Sequence, residues 1–523
     1  MTNHMQRGIL AGVCAVVIGV YAGTARSGYV VSTSLKAGDE YYNLLVQSFG
    51  AGRLSLKKDV PPGLASLADP YDPAQSRPYR LAPYGLQDLS YYKGRLYLYF
   101  GVTPAVALFW PYVALTGRYL SQKNAVVIFC IVGFLASVGL LWALWRRYFA
   151  EVHVAVVAAG TLALGLATFA PFVLARIDVY EVAISCGYAL TMLALAAIWK
   201  ALHESRKRSG WWLAVASLAY GLAVGARPSL VFGAVILLVP VVQAWRERGG
   251  VAAAESRTAS GSRPVAGRGP PMAAAAVIPI ALVGLGLMIY NLLRFDSPFD
   301  FGVHYQLALD RQFARQFFSV RYLWFNFRIY FLEPARWSSQ LPFAHGIRVP
   351  PLPAGHWPVE QLFGVLTNIP LVWLALAVPL AWRGRAEHTQ GRTRNGFGAS
   401  LCHPLGGFLA AVAMVFGTGA LMMVLFINSA GRYELEFLPA LVLLAVMGIL
   451  SLERALTDRL LWRRVARWGW GLLLGFSVAF NLLASIGQCA EAHYNLGNAL
   501  LQEGKPQIHT DARRSKGHEE PPN

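Results

Sequence analysis

Asp39 and Glu40 are adjacent carboxylates in the run Gly38-Asp39-Glu40-Tyr41-Tyr42, just past a first apolar segment, Ile9 to Ala25. Acidic pairs at a membrane exit are costly unless the aqueous side uses them. A carboxylate there can take the proton of an attacking hydroxyl, the work of a general base. The same pair also reads as a helix cap, since acidic residues in a first turn stabilise a helix by about 0.3–1 kcal/mol.

Asp178 and Glu181 are a second acidic pair, spaced to share one helix face. Arg176 beside them offers an ion pair as the structural alternative. Arg227 stands in Gly225-Ala226-Arg227-Pro228, and Arg432 in Gly431-Arg432-Tyr433. A guanidinium gives a phosphate a two-pronged partner. Either arginine also reads as a side chain snorkelling at a membrane boundary. His304, alone in its loop, receives no role.

Membrane helices must position these residues. Of 523 residues, 55% are hydrophobic and 14% charged, where globular domains carry roughly 25% charge. Apolar segments fall near 8–25, 97–117, 123–145, 153–175, 179–200, 211–226, 229–245, 272–293, 361–382, 405–427, 434–453 and 467–488. The expectation is an all-α polytopic membrane protein with about 11–12 transmembrane segments. Arg146-Arg147, Arg206-Lys207-Arg208, 246–270, 383–395 and Arg454 to Arg467 are basic and belong on the cytoplasmic side. Two long loops, 26–96 and 294–360, belong outside. The segment 97–117 holds Gly101, Pro104, Pro111 and Gly117. It reads as a re-entrant or juxtamembrane segment packed against protein, which gives 11 spans and an external C-terminus; as a full span it gives 12 and an internal one. The stretches 246–270 and 383–404 read as disordered. Arg311 to Phe331 alternates arginines with aromatics, as an interfacial helix does, or a helix capping the bundle.

The net charge of +19 follows this inside bias, and no nucleic-acid recognition motif accompanies it. The five cysteines show no CxxC spacing, so neither a disulfide framework nor a zinc site is expected. The first segment reads as a retained span rather than a cleaved leader.

Several stretches together resemble the GT-C class of membrane glycosyltransferases, especially its family 39 group of mannosyl- and aminoarabinosyl-type enzymes. They are Gly38-Asp39-Glu40-Tyr41-Tyr42 with Phe49-Gly50-Ala51-Gly52-Arg53-Leu54, then Tyr97-Leu98-Tyr99-Phe100-Gly101-Val102-Thr103-Pro104, then Leu174-Ala175-Arg176-Ile177-Asp178. Gly221 to Pro228 and Gly431-Arg432-Tyr433-Glu434-Leu435-Glu436-Phe437-Leu438-Pro439 complete the set, over roughly 8–450. The resemblance implies a general base or metal-binding role for Asp39 first and Glu40 second. It implies acceptor or metal contact for Asp178 and Glu181, and donor-phosphate binding for Arg227 and, at similar strength, Arg432. The resemblance leaves the cofactor open, with a divalent metal as the candidate. The donor class would be a polyprenyl-phosphate-linked sugar drawn from membrane lipid, in a bacterial-type inner membrane.

Residues 489–505 resemble the first helix of a tetratricopeptide repeat, with Leu496-Gly497 and Ala499 in pattern. Pro506 ends it, and 506–523 is expected to be a disordered tail. The domains are then a GT-C-like membrane unit over 1–488, the half repeat, and the tail. The expected function is sugar transfer to an acceptor at the external face. An O-antigen ligase or polymerase-like transferase is the alternative enzyme, and a lipid or glycan transporter the non-enzymatic one.

Overall fold

The computed structural model describes residues 3–30, 36–81, 84–255, 271–309, 311, 316–382 and 403–503. Among them, nine helices are long and apolar enough to cross a membrane: Asn3–Ser27, Gln122–Tyr148, Val179–His203, Lys207–Ala226, Pro228–Glu247, Met272–Phe295, Pro404–Leu425, Leu438–Ala455 and Leu460–Ala492. A hydrocarbon core of ~30 Å needs about 20 helical residues. The chain is a multi-pass helical membrane protein.

Three expected segments are shorter helices, Ala105–Thr116, Val154–Leu166 and Pro370–Ala381. Proline accounts for each, because it removes a backbone donor and clashes with the preceding turn. The segment 97–117 begins as strand Arg95–Leu98, turns helical only after Pro104, and stops at left-handed Gly117. Its helix is about 18 Å long, too short for a full crossing. The segment 153–175 breaks at Phe169, also left-handed, before Pro171 opens Ala170–Ala175. Pro370 opens a 3-10 helix to Trp382 with Pro379 inside it.

The helix Leu438–Ala455 is buried along nearly its whole length. It packs so closely on the 3-10 helix that a β-carbon at Gly448 would collide with the Leu374 carbonyl oxygen. Only glycine allows that approach. Arg146 and Arg147 end Gln122–Tyr148, Lys200 and His203 end Val179–His203, and Arg454 ends Leu438–Ala455. The basic residues therefore gather at one end of the bundle.

Small two-stranded pairings organise the other end. Tyr29–Val30 runs parallel to Arg176–Ile177. Leu89–Tyr92 and Arg95–Leu98 form a hairpin whose turn residues, Lys93 and Gly94, both have positive φ, as a two-residue I′ turn requires.

Several expectations change. Helix Leu238–Glu255 extends into the stretch read as disordered, because Val251-Ala252-Ala253-Ala254-Glu255 contains strong helix formers. The remainder, 256–270, lies outside the described residues, as do 383–402. The Arg311–Phe331 region is helical from Val320 to Leu332. It exposes Val320, Leu323 and Trp324 and buries Tyr322, Phe325 and Ile329. The repeat-like stretch opens no separate element: it continues helix Leu460–Glu503. Residues 506–523 lie outside the described residues.

Candidate functional site

A cavity of about 1080 Å³ opens at the end of the bundle away from the basic clusters. Its lining is apolar at Val231, Phe232, Leu287, Met422, Leu425 and Phe426. The same lining carries Asp88, Glu360, Arg227, Arg294 and Arg432 with Tyr99, Tyr180 and Tyr433. The sequence brings its parts together by close backbone crossing. Gly101 lies against the end of helix Arg206–Ala226, where a β-carbon would strike the carbonyl oxygens of Gly225 and Ala226.

Asp88 precedes the hairpin with φ of 63°, a left-handed conformation that aspartate tolerates better than most residues. Its backbone N–H donates to Leu307 at 2.9 Å. Its Oδ2 accepts from the Tyr180 hydroxyl, and its Oδ1 accepts from Gln306 Nε2 at 3.0 Å and Gln87 Nε2 at 3.2 Å. Water can touch this half-buried carboxylate within the cavity, while protein surrounds it on most sides. Burial pushes its pKa up to about 6, against the opposing hydrogen bond from Tyr180 and with a further push from Asp178.

The cavity arginines differ in their partners. Arg227 Nε donates to Glu436 Oε1 at 2.7 Å, and Ser229 Oγ donates to Glu436 Oε2 at 2.8 Å. Arg432 is held by Glu360 through both terminal nitrogens, one bond measuring 2.7 Å. Tyr433 lies between them, its ring centre 5.1 Å from the Arg227 guanidinium and 5.2 Å from that of Arg432. Burial raises the Glu360 carboxyl, but the charges of Arg432 and Arg176 outweigh it and hold the group below its ordinary range.

Asp39 and Glu40 are not among the residues lining this cavity. Asp39 is exposed at the end of a short 3-10 turn, Ala37–Asp39. Glu40 is buried, and its Oε2 accepts from the Gln122 backbone N–H at 2.7 Å, capping helix Gln122–Tyr148. Burial pushes its pKa up to about 7, with the Gln122 hydrogen bond opposing. Their neighbours do reach the site. Tyr41 donates to Gly85 O at 2.8 Å and Gln87 O at 3.2 Å, fixing the turn before Asp88. Tyr42 donates to Gly101 O at 3.3 Å.

Asp178 and Glu181 form a capping box at the start of Val179–His203: Asp178 Oδ1 accepts from Val179 N at 2.7 Å, and Glu181 Oε2 accepts from Asp178 N at 2.9 Å. Burial raises the Asp178 carboxyl, opposed by the Val179 hydrogen bond and by Arg176 and Arg432. Neither residue lines the cavity, although Tyr180 between them does. Arg227 and Arg432 do line it. Sequence reasoning passed over Asp88, Glu360 and Arg294, and quoted Glu436 only as part of a motif. A signal existed for Glu436, which shares the stretch Gly431 to Pro439 with Arg432.

A metal would need several converging ligands. Among the described residues, no group of three or more His, Cys, Asp or Glu side chains is arranged to hold one. Asp178 and Glu181 each spend an oxygen on the helix start, so the described residues show no dedicated cation site.

No family model matches the chain, and no curated protein matches it. Among solved structures, the chain is similar to the oligosaccharyltransferase of Archaeoglobus fulgidus in its apo form, at 11% identity and a TM-score of 0.41. That alignment covers 95% of this chain and 58% of the archaeal one, so the chain spans a little over half the length of that protein.

Proposed function

We propose that the protein is a membrane glycosyltransferase that moves a sugar from a polyprenyl-phosphate donor to an acceptor hydroxyl. One observation carries the reading: a single cavity combines apolar lining with polar side chains, where a carboxylate with a pKa of about 6 stands among arginines. A lipid-linked sugar has that same division, an apolar tail and an anionic, hydroxyl-rich head. Positive-inside bias supports placing the cavity at the external face of a bacterial-type inner membrane, away from Arg146, Arg147, Lys200 and Arg454.

In this reading the acceptor oxygen attacks the anomeric carbon. The bond from that carbon to the phosphate oxygen breaks, and its electron pair leaves with the phosphate. Asp88 takes the acceptor proton. A base with a pKa near 6 is ionised at neutral pH and still close enough to the working pH to accept a proton. Arg227 and Arg432, each paired with a carboxylate, shape the polar lining that faces the departing phosphate. The pair Asp39-Glu40 supports the site through the adjoining tyrosines.

The test is sugar transfer in membranes from a polyprenyl-phosphate-sugar pool, with protein level matched. Asp88→Asn is expected to lose on the order of 10²–10⁴-fold in rate, and Asp39→Asn to retain most of it. Full activity of Asp88→Asn with loss in Asp39→Asn would return the base role to Asp39. Absence of transfer by the native chain from any such pool would overturn the reading.

A further inference from the structure

Charge accounting separates the cavity's arginines. Arg227 has Glu436 and Arg432 has Glu360. Arg294 makes no ion pair with any described residue. It is 5% exposed and lies one residue before the end of helix Met272–Phe295. Two of its donors reach neutral acceptors: Nη1 donates to Leu98 O at 2.9 Å and Nη2 to Asn291 Oδ1 at 2.8 Å. A guanidinium carries five N–H donors, and Nε has no hydrogen-bond partner. The rings of Tyr290 and Phe295 cover the group, with centres 3.9 and 4.6 Å from its central carbon.

Asp300, whose charge bears on Arg294, is engaged elsewhere. Its Oδ1 accepts from Gly302 N at 2.7 Å and its Oδ2 meets His304 Nδ1 at 2.8 Å. A buried cation without a counter-ion is costly, and proteins normally pair it. Here the cation lines a cavity instead, together with its acceptor Asn291 and the ring of Tyr290. Leu287, two turns earlier on the same helix, is part of the cavity's apolar lining. A ligand tail lying along Leu287 would bring its head toward Arg294.

We infer that Arg294 is the primary binding residue for a lipid-borne phosphate, whose charge supplies the counter-ion that no described residue provides. The inference rests on the proposed lipid-phosphate reading of the cavity and sharpens it. Arg227 and Arg432 are already neutralised by carboxylates, so their part is to shape the polar lining. Arg294 has both the unused donors and the unbalanced charge. Its side chain is preorganised by two hydrogen bonds and two aromatic rings, so binding costs it little ordering.

The experiment measures binding to the full-length protein in detergent micelles by thermal shift and by titration. The probes are farnesyl phosphate, farnesol, inorganic phosphate and phosphatidic acid. The native chain is expected to bind farnesyl phosphate more tightly than farnesol. Arg294→Met should weaken farnesyl phosphate on the order of ten- to a hundredfold, the scale of one lost charge-assisted contact, and leave farnesol unchanged. Arg227→Ala should weaken it less. Inorganic phosphate should bind poorly, since it lacks the tail. Phosphatidic acid binding as tightly as farnesyl phosphate, and as dependently on Arg294, would assign the site to bulk phospholipid and overturn the donor assignment.

Two failures are distinguishable. If the native chain does not prefer farnesyl phosphate over farnesol, the lipid-phosphate reading of the cavity falls. If it does, and Arg294→Met keeps that preference, only the role of Arg294 falls. Should Arg294→Met not accumulate, Arg294→Lys carries the test, because it keeps charge but loses the planar fork. It should bind farnesyl phosphate several-fold more weakly at unchanged farnesol affinity; native affinity for both would overturn the inference.

Discussion

The Tyr180 hydroxyl donates to Asp88 Oδ2, joining the first turn of a membrane-spanning helix to a loop 92 residues earlier in the chain. The bond favours the charged carboxylate and so opposes the burial that raises its pKa. Removing it with Tyr180→Phe should push the Asp88 pKa further up. If Asp88 is the base, transfer by the native protein should fall as pH drops through about 6. In Tyr180→Phe this acid limb should move to higher pH while the rate at pH 8 changes less. A pH–rate profile of both proteins checks this, and an unmoved limb would separate Asp88 from the titration.

Glu40 gives a stability prediction of definite sign. Its folded pKa of about 7 lies above the ordinary 4.5, so the folded state binds the proton more tightly than the unfolded one. Stability contributed by this group therefore falls as pH rises from about 4.5 to 7. Glu40→Gln keeps an oxygen to accept from Gln122 and removes the ionisation. The variant should melt at or above the native temperature at pH 8, by an amount on the order of 1 kcal/mol, and match it at pH 4.5. Loss of transfer in a stably folded Glu40→Gln would instead point to a chemical role.

The Arg227–Glu436 pair is deeply buried on the carboxylate side, where the Glu436 side chain is 1% exposed. Removing one partner leaves an uncompensated charge, at a cost of about 3–5 kcal/mol. Glu436→Met and Arg227→Met should each lower the melting temperature, and the double variant should lose less than the two singles combined. Additive losses in a double-mutant cycle would show that the pair is not coupled.

Gly448→Ala should destabilise the bundle strongly, because the new methyl collides with the Leu374 carbonyl oxygen and neither backbone can yield without repacking. Gly469→Ala, where the added carbon meets nothing within 4 Å, is the control and should accumulate normally. Detergent-extracted yield with size-exclusion profiles reads the difference.

Sidedness follows from the charge bias. Single cysteines at Ser66 and Ser260 should label from opposite faces of the membrane, Ser66 from the cavity side. Labelling of both from one face would undo the orientation on which the external placement rests.

The spans were legible in the sequence because their signal is local: a run of apolar residues long enough for the bilayer. Their interruptions were legible too, through Pro104, Pro171 and Pro370. The cavity was not. Asp88 meets Tyr180 and Gln306, and Glu360 meets Arg432, over separations that no helical or strand period encodes. Asp39-Glu40 drew attention as adjacent charges, yet the residues of that run nearest the cavity are its tyrosines. Arg227 and Arg432 were visible because they flank apolar segments. Arg294 was equally well placed but looked like an ordinary helix-ending cation, and only its lack of an ion pair among the described residues, a three-dimensional fact, sets it apart.

The parallel pairing of Tyr29–Val30 with Arg176–Ile177 has a consequence for biosynthesis. At 5–20 residues per second, a ribosome needs on the order of ten seconds to make the chain between them. Through that interval helix Asn3–Ser27 sits in the bilayer without the partner strand that finally anchors its exit. Gly28, which fits beneath the carbonyl oxygens of Leu174 and Ala175, likewise waits for the strand's arrival. Helix Asn3–Ser27 is thus made well before the strand that locks its exit, and a chaperone or insertase that shelters early helices would act on it through that interval.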